Sequence, residues 1–144
     1  MSNISVFLKK NKKERKNTFF PATKSFIDPK TNEPVLWEIK PITTTEDERI
    51  REECTREIQV TGKPNLFRNK INTSKYIAEL LCASVVFPDL QNAELQDDYG
   101  VKTPTELLKK ILDDPTEYAE LMQHVQNSSG LDLTIDEEIE EVKN

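Results

Sequence analysis

The sequence predicts an α+β fold: an N-terminal β-hairpin of two or three strands, packed on a bundle of four to six short helices. Three features carry this prediction. Val35, Trp37 and Ile39 alternate with other residues, the period of a strand with one buried face. Residues 73–86 are densely apolar, as in a central core helix. Thr103-Pro104-Thr105-Glu106 and Asp114-Pro115-Thr116-Glu117 each combine a capping side chain, proline at the first helical position and glutamate at the third.

The elements follow in order. Residues 1–17 hold Ile4, Val6, Phe7 and Leu8 and then a lysine-rich run, a basic arm. The i, i+3, i+4 spacing of Ile4, Phe7 and Leu8 permits a short amphipathic helix; a mobile terminal arm is the other reading. The runs 18–27 and 35–42 flank Asp28-Pro29-Lys30-Thr31-Asn32, which reads as the turn of a hairpin. Pro21 and Pro41 lack the N–H of a central ladder, so both strands are short or lie at an edge. Thr43 or Thr45 caps a helix expected to reach about Val60, with Ile50, Cys54 and Ile58 as a narrow stripe. Gly62-Lys63-Pro64-Asn65 breaks the chain, and Leu66, Phe67 and Ile71 are candidates for a third strand. The core helix then runs from Thr73 to Val86 and ends before Pro88. Residues 90–99 hold one or two helical turns, closed by Gly100.

The last two helices are amphipathic. Leu107, Leu108, Ile111 and Leu112 form the apolar face of one; Tyr118, Leu121, Met122 and Val125 form that of the other. Residues 18–130 thus read as a single domain. Residues 131–144 form an acidic tail or a frayed helix, with Thr134 as a candidate cap.

At 144 residues the chain is long enough to bury a core without disulfides or metal. Its charge is uneven: residues 1–24 carry seven cations against one acid, and residues 113–144 carry ten acids against one lysine. The acidic end argues against a whole-chain nucleic-acid binder. Cys54 and Cys82 lack CxxC spacing and suit a reducing compartment, a single disulfide being the other option. No signal-peptide core and no apolar run of membrane-spanning length occurs, so a cytoplasmic protein is expected.

Catalytic equipment is sparse, and no enzyme is expected. The single histidine, His124, lies in an amphipathic helix and reads as a rim residue. No HxxxH, HExxH or Cys/His cluster suggests a metal, and no glycine cluster suggests a nucleotide. No cofactor or small-molecule substrate is implied. Asp97-Asp98 reads as a polar helix end rather than a cation site. The run from Lys9 to Lys16 has the charge to meet phosphates, with Phe19 and Phe20 to stack on bases, but no recognition helix or RNA-binding motif accompanies it. A solubilising arm is the simpler reading. Phe19 and Phe20 point to opposite faces of one strand, so at least one contacts something outside the hairpin core. Trp37 is a core residue or a partner contact.

The segment 84–130 reads SVVFPDLQNAELQDDYGVKTPTELLKKILDDPTEYAELMQHVQNSSG, preceded by Tyr-Ile-Ala-Glu-Leu-Leu at 76–81. A Val-Val-Phe-Pro-Asp junction, an ELQ…YGV stretch, Pro-x-Glu-Leu-Leu and a Glu-Tyr…Leu helix together resemble the XkdN-like tail assembly chaperones of phages and prophages. The likeness is good over about residues 60–130 and looser over the N-terminal third. It implies a chaperone of the bacterial host cytoplasm that transiently binds the tape measure protein while the tail tube assembles. The tail tube protein is a second candidate partner. The family's members are absent from the finished tail. The alternatives are a structural tail or neck component and a nucleic-acid-binding regulator using the basic arm. Phe19, Phe20, Trp37, Leu107, Ile111, Tyr118, Leu121 and Met122 are the candidate partner-binding residues.

Overall fold

A computed structural model describes residues 3–132. The arm opens with two exposed 3-10 turns, Ile4–Phe7 and Lys9–Asn11, rather than an α-helix. Its root is fixed by Arg15. That guanidinium donates to the Ser129 carbonyl at 2.8 Å and the Ile42 carbonyl at 2.7 Å.

The hairpin forms as expected and is short. Strand β1 (Thr18–Phe20) pairs antiparallel with β2 (Trp37–Ile39), and an isolated bridge joins Ile27 to Pro34. Pro21 and Pro41 fall just outside the ladder, where their missing N–H costs nothing. In the connecting turn, the Asp28 side chain accepts from the Lys30 N–H, and Asn32 adopts a left-handed conformation (φ 58°). The third strand of this sheet is β5 (Val85–Phe87), which lies on the far side of β2 and gives the order β1-β2-β5. The core helix α2 (Thr73–Ser84) therefore stops two residues before the expected Val86. Val85 and Val86 are β-branched, and the open edge of β2 offers them a ladder. The Ser84 hydroxyl donates to the Lys40 carbonyl at 2.7 Å, and the Ser84 carbonyl accepts from the Lys40 N–H at 2.8 Å, stitching helix end to sheet.

A second correction concerns residues 54–71. Helix α1 (Thr44–Glu53) has the capping box at Thr43 and Glu46 but ends well before Val60. Thr55–Gln59 is a strand, β3, paired with β4 (Phe67–Ile71) in a separate two-stranded ribbon. The third-strand candidates Phe67 and Ile71 are thus in a strand, but not in the N-terminal sheet. Ile58 lies four residues from Cys54 yet belongs to the ribbon, and Ile71 is the ribbon's one buried residue.

The last three helices appear where their caps place them. Helix α3 (Ala93–Asp98) is capped by Asn92, α4 (Pro104–Ile111) by Thr103 and α5 (Pro115–Ser129) by Asp114. Gly130 closes α5 in the left-handed conformation (φ 72°) that residues with a Cβ rarely adopt. Among the described residues there are five α-helices. The expected cap at Thr134 and most of the acidic tail lie outside them.

The core sits between the sheet and helices α2, α4 and α5. Ile39, Tyr76, Leu80, Leu81, Leu107, Leu108, Leu121 and Val125 are all fully buried there. Two polar contacts lock its border. Tyr76 donates to Asp47, and Arg51 lies over the Tyr76 ring while pairing with Asp47 at 3.2 Å. Glu117, in the first turn of α5, accepts from the Thr23 hydroxyl at 2.7 Å and the Lys24 N–H at 2.8 Å, pinning the hairpin to the helix.

Candidate protein-binding surface

At the end of the three-stranded sheet, an apolar groove of about 210 Å3 opens to solvent. Phe26 and Val35 of the hairpin line it, together with Leu95 and Tyr99 of the α3 region. Trp37 and Ile111 line it from the core, and Phe87 with Pro88 complete it through a cis peptide bond. Trp37 is only 2% exposed, whereas Phe26 and Phe87 are 43% and 53% exposed. The groove thus combines a buried wall with two exposed aromatic residues. Phe87 and Pro88 also border a wider, shallower depression lined by Asp89, Glu94, Asp97 and Asp98. An apolar slot beside four carboxylates suits a peptide that offers an apolar side chain flanked by cations.

The outer face of the sheet adds to this surface. In the ladder, Phe19 stands opposite Glu38, and Glu38 opposite Phe87. Directly opposed residues share a face, so Phe19 and Glu38 lie on the side away from Trp37 and Ile39. Phe19 is 63% exposed.

The sequence-predicted contact residues divide accordingly. Trp37 and Ile111 meet in the groove. Phe19 lies on the open sheet face. Phe20 turns the other way and stacks on His124 with ring centroids 4.5 Å apart. Leu107 and Leu121 are fully buried, which leaves them no surface to offer in this conformation. Tyr118 and Met122 are half-buried against the core, and Tyr118 edges a separate shallow depression with Lys109, Leu112 and Pro115. Phe26, Val35, Phe87, Leu95 and Tyr99 were missed. The available signal was Phe87 beside Pro88, an aromatic next to a residue that stops regular structure.

Burial pushes the His124 imidazole below its ordinary value, and its Nε2 lies 2.8 Å from the Thr18 hydroxyl. Burial pushes the Cys82 thiol up to about 12, with Glu79 adding and Lys109 opposing, so it is a poor nucleophile at neutral pH. Cys54 and Cys82 are both free thiols. Burial alone would raise the Glu46 carboxyl, but hydrogen bonds from Lys40 and Thr43 and the Lys40 charge hold it below the ordinary range. Among the described residues, no group of three or more His, Cys, Asp and Glu side chains is placed to hold a metal ion. Nor is any described helix long and apolar enough to cross a membrane.

Phage-like element PBSX protein XkdN of Bacillus subtilis (strain 168) is 25% identical over 142 residues, covering 99% of this chain and 94% of that protein. YqbN of the same strain is also 25% identical over 142 residues, covering 99% of this chain and 93% of its own. The crystal structure of YqbN superposes with a TM-score of 0.74 at 22% identity, over 92% of this chain and 99% of that one, and shows the same fold. The family model described as phage XkdN-like tail assembly chaperone protein matches residues 4–143. The chain therefore belongs to the phage XkdN-like tail assembly chaperones.

Proposed function

We propose that this chain binds the tape measure protein transiently, in the cytoplasm of the bacterial host, while the tail tube is assembled. The supporting observation is the groove at Phe26, Trp37 and Phe87 with carboxylates beside it. A tape measure protein is a long helical polypeptide with apolar stripes, and such a stripe needs cover until the tube encloses it. An amphipathic helix seats one large apolar residue in a slot like this and its neighbours along an open apolar face. Phe19 on the outer sheet face, and Tyr118 and Met122 of α5, are further contacts in this reading. The tail tube protein is the second candidate partner.

Co-expression tests it. The tape measure protein of the same element should be insoluble alone and soluble with this chain. Phe26→Asp with Phe87→Asp, both at exposed positions, should abolish the rescue while leaving the chain folded. Rescue that survives the double substitution would exclude the groove, and no rescue by the wild-type chain would exclude the client. Composition of purified tails separates a chaperone, which is missing from them, from a structural component, which is present. Salt-dependent retardation of DNA by the arm would favour the regulatory alternative.

A further inference from the structure

The arm presents the most exposed apolar residues of the described chain. Ile4 is 73% exposed and Phe7 82%, with Val6 and Leu8 also open to water. They are nevertheless held in an ordered shape. The Val6 N–H donates to the Asn3 carbonyl at 2.9 Å, and the Asn11 side-chain amide donates to the Ser5 carbonyl at 2.7 Å. Lys9, Lys10, Lys12 and Lys13 follow directly. The Arg15 anchor keeps the root of the arm beside Ile42 and Ser129, and Lys9, Lys12 and Lys13 line a depression with Lys40, Thr43 and Glu46. The groove at Phe87 draws on none of those residues, so the arm leaves its own groove unfilled.

The arm and the groove are complementary in kind. One is a short apolar cluster led by an aromatic residue and followed by four lysines. The other is an apolar slot of about 210 Å3, with Asp89, Glu94, Asp97 and Asp98 alongside. Exposed apolar patches of this sort mark interaction sites, and opposed charges set the register.

We propose that the N-terminal arm of one copy docks in the groove of a second copy. Phe7 enters between Phe26 and Phe87, and the lysines meet the carboxylates of the α3 region. The contact is heterologous, arm to groove, so it propagates head to tail or closes into a ring. It shares the groove with client binding but needs no client. If both hold, the client displaces the arm.

Sedimentation of the purified full-length chain, with no tape measure protein present, is the test. The wild type should associate as concentration rises, and the apparent affinity should fall about tenfold or more between about 50 mM and about 500 mM salt. Phe7→Asp and Phe87→Asp should each remove the association. Their mixture should restore a pair, because one variant keeps its groove and the other its arm. Asp98→Lys, on the surface, should weaken association without touching the core. A wild type that stays monomeric throughout, or a Phe7→Asp chain that associates as the wild type does, overturns the proposal. Either result leaves client binding untouched, and failure of client rescue leaves this result untouched.

Discussion

The two β-structures of this molecule are built in opposite ways. Ribbon β3–β4 is local: strands 55–59 and 67–71 are joined by one short loop and paired along their whole length. It buries only Ile71 and sets Arg56 opposite Lys70, a like-charge pair. Sheet β1-β2-β5 has short ladders but draws on three distant stretches of chain and buries Trp37, Ile39 and Val85 against the helices. A lone two-stranded ribbon is marginal in water, whereas buried side chains contribute in proportion to the area they hide. Hydrogen-bond number is therefore a poor guide to which sheet holds this fold together. The weakly buried ribbon is an appendage, and the small sheet is a wall of the core.

That contrast can be broken by substitution. Trp37→Ala should have the largest effect, a loss of about 3–5 kcal/mol, read as a lowered urea midpoint for the whole molecule. Ser129→Ala comes next. The Ser129 hydroxyl accepts from the buried Ile42 N–H at 2.8 Å, just beyond β2, and leaving that N–H unpaired should cost about 1–3 kcal/mol. Ile58→Ala in the ribbon should cost less than about 1 kcal/mol, as expected for a half-exposed site. Hydrogen exchange should show ribbon amides opening well before that of Ile39. A ribbon substitution as costly as Trp37→Ala would invert the comparison.

The smallest effect is one of pH. His124 stacks on Phe20 of β1, and burial holds its pKa below 6.5 in the folded state. The unfolded chain binds the proton first, so this contribution is complete above pH 6.5 and is lost as pH falls through the lower folded value. The wild type should thus lose stability on mild acidification more steeply than His124→Gln, as measured by urea midpoints on either side of 6.5. Glu46 acts in the same direction at lower pH, because its folded pKa is depressed from 4.5.

Much of the helical layer was legible in the sequence. Thr103 with Pro104, and Asp114 with Pro115, mark helix starts through local chemistry that no tertiary contact has to confirm. The hairpin was legible for a similar reason, since alternation at Val35, Trp37 and Ile39 is a short-range signal. The errors came where distant partners decide. Val85 and Val86 continue a helical pattern when read in sequence, and only the free edge of β2 makes them a strand. Ile58 falls four residues after Cys54, yet residues 67–71 draw it into a ladder. The groove is not legible for the same reason: hairpin, cis-proline junction, α3 region and Ile111 come together only in three dimensions.

Arg15 has a consequence of its own. By gripping the carbonyls of Ile42 and Ser129, it holds the root of the basic arm and the end of helix α5 at a single corner of the body. Labels at Lys13 and Leu131, on either side of that contact, should report on the same few nanometres of space, so one dye pair can follow the opening of that corner when a partner arrives.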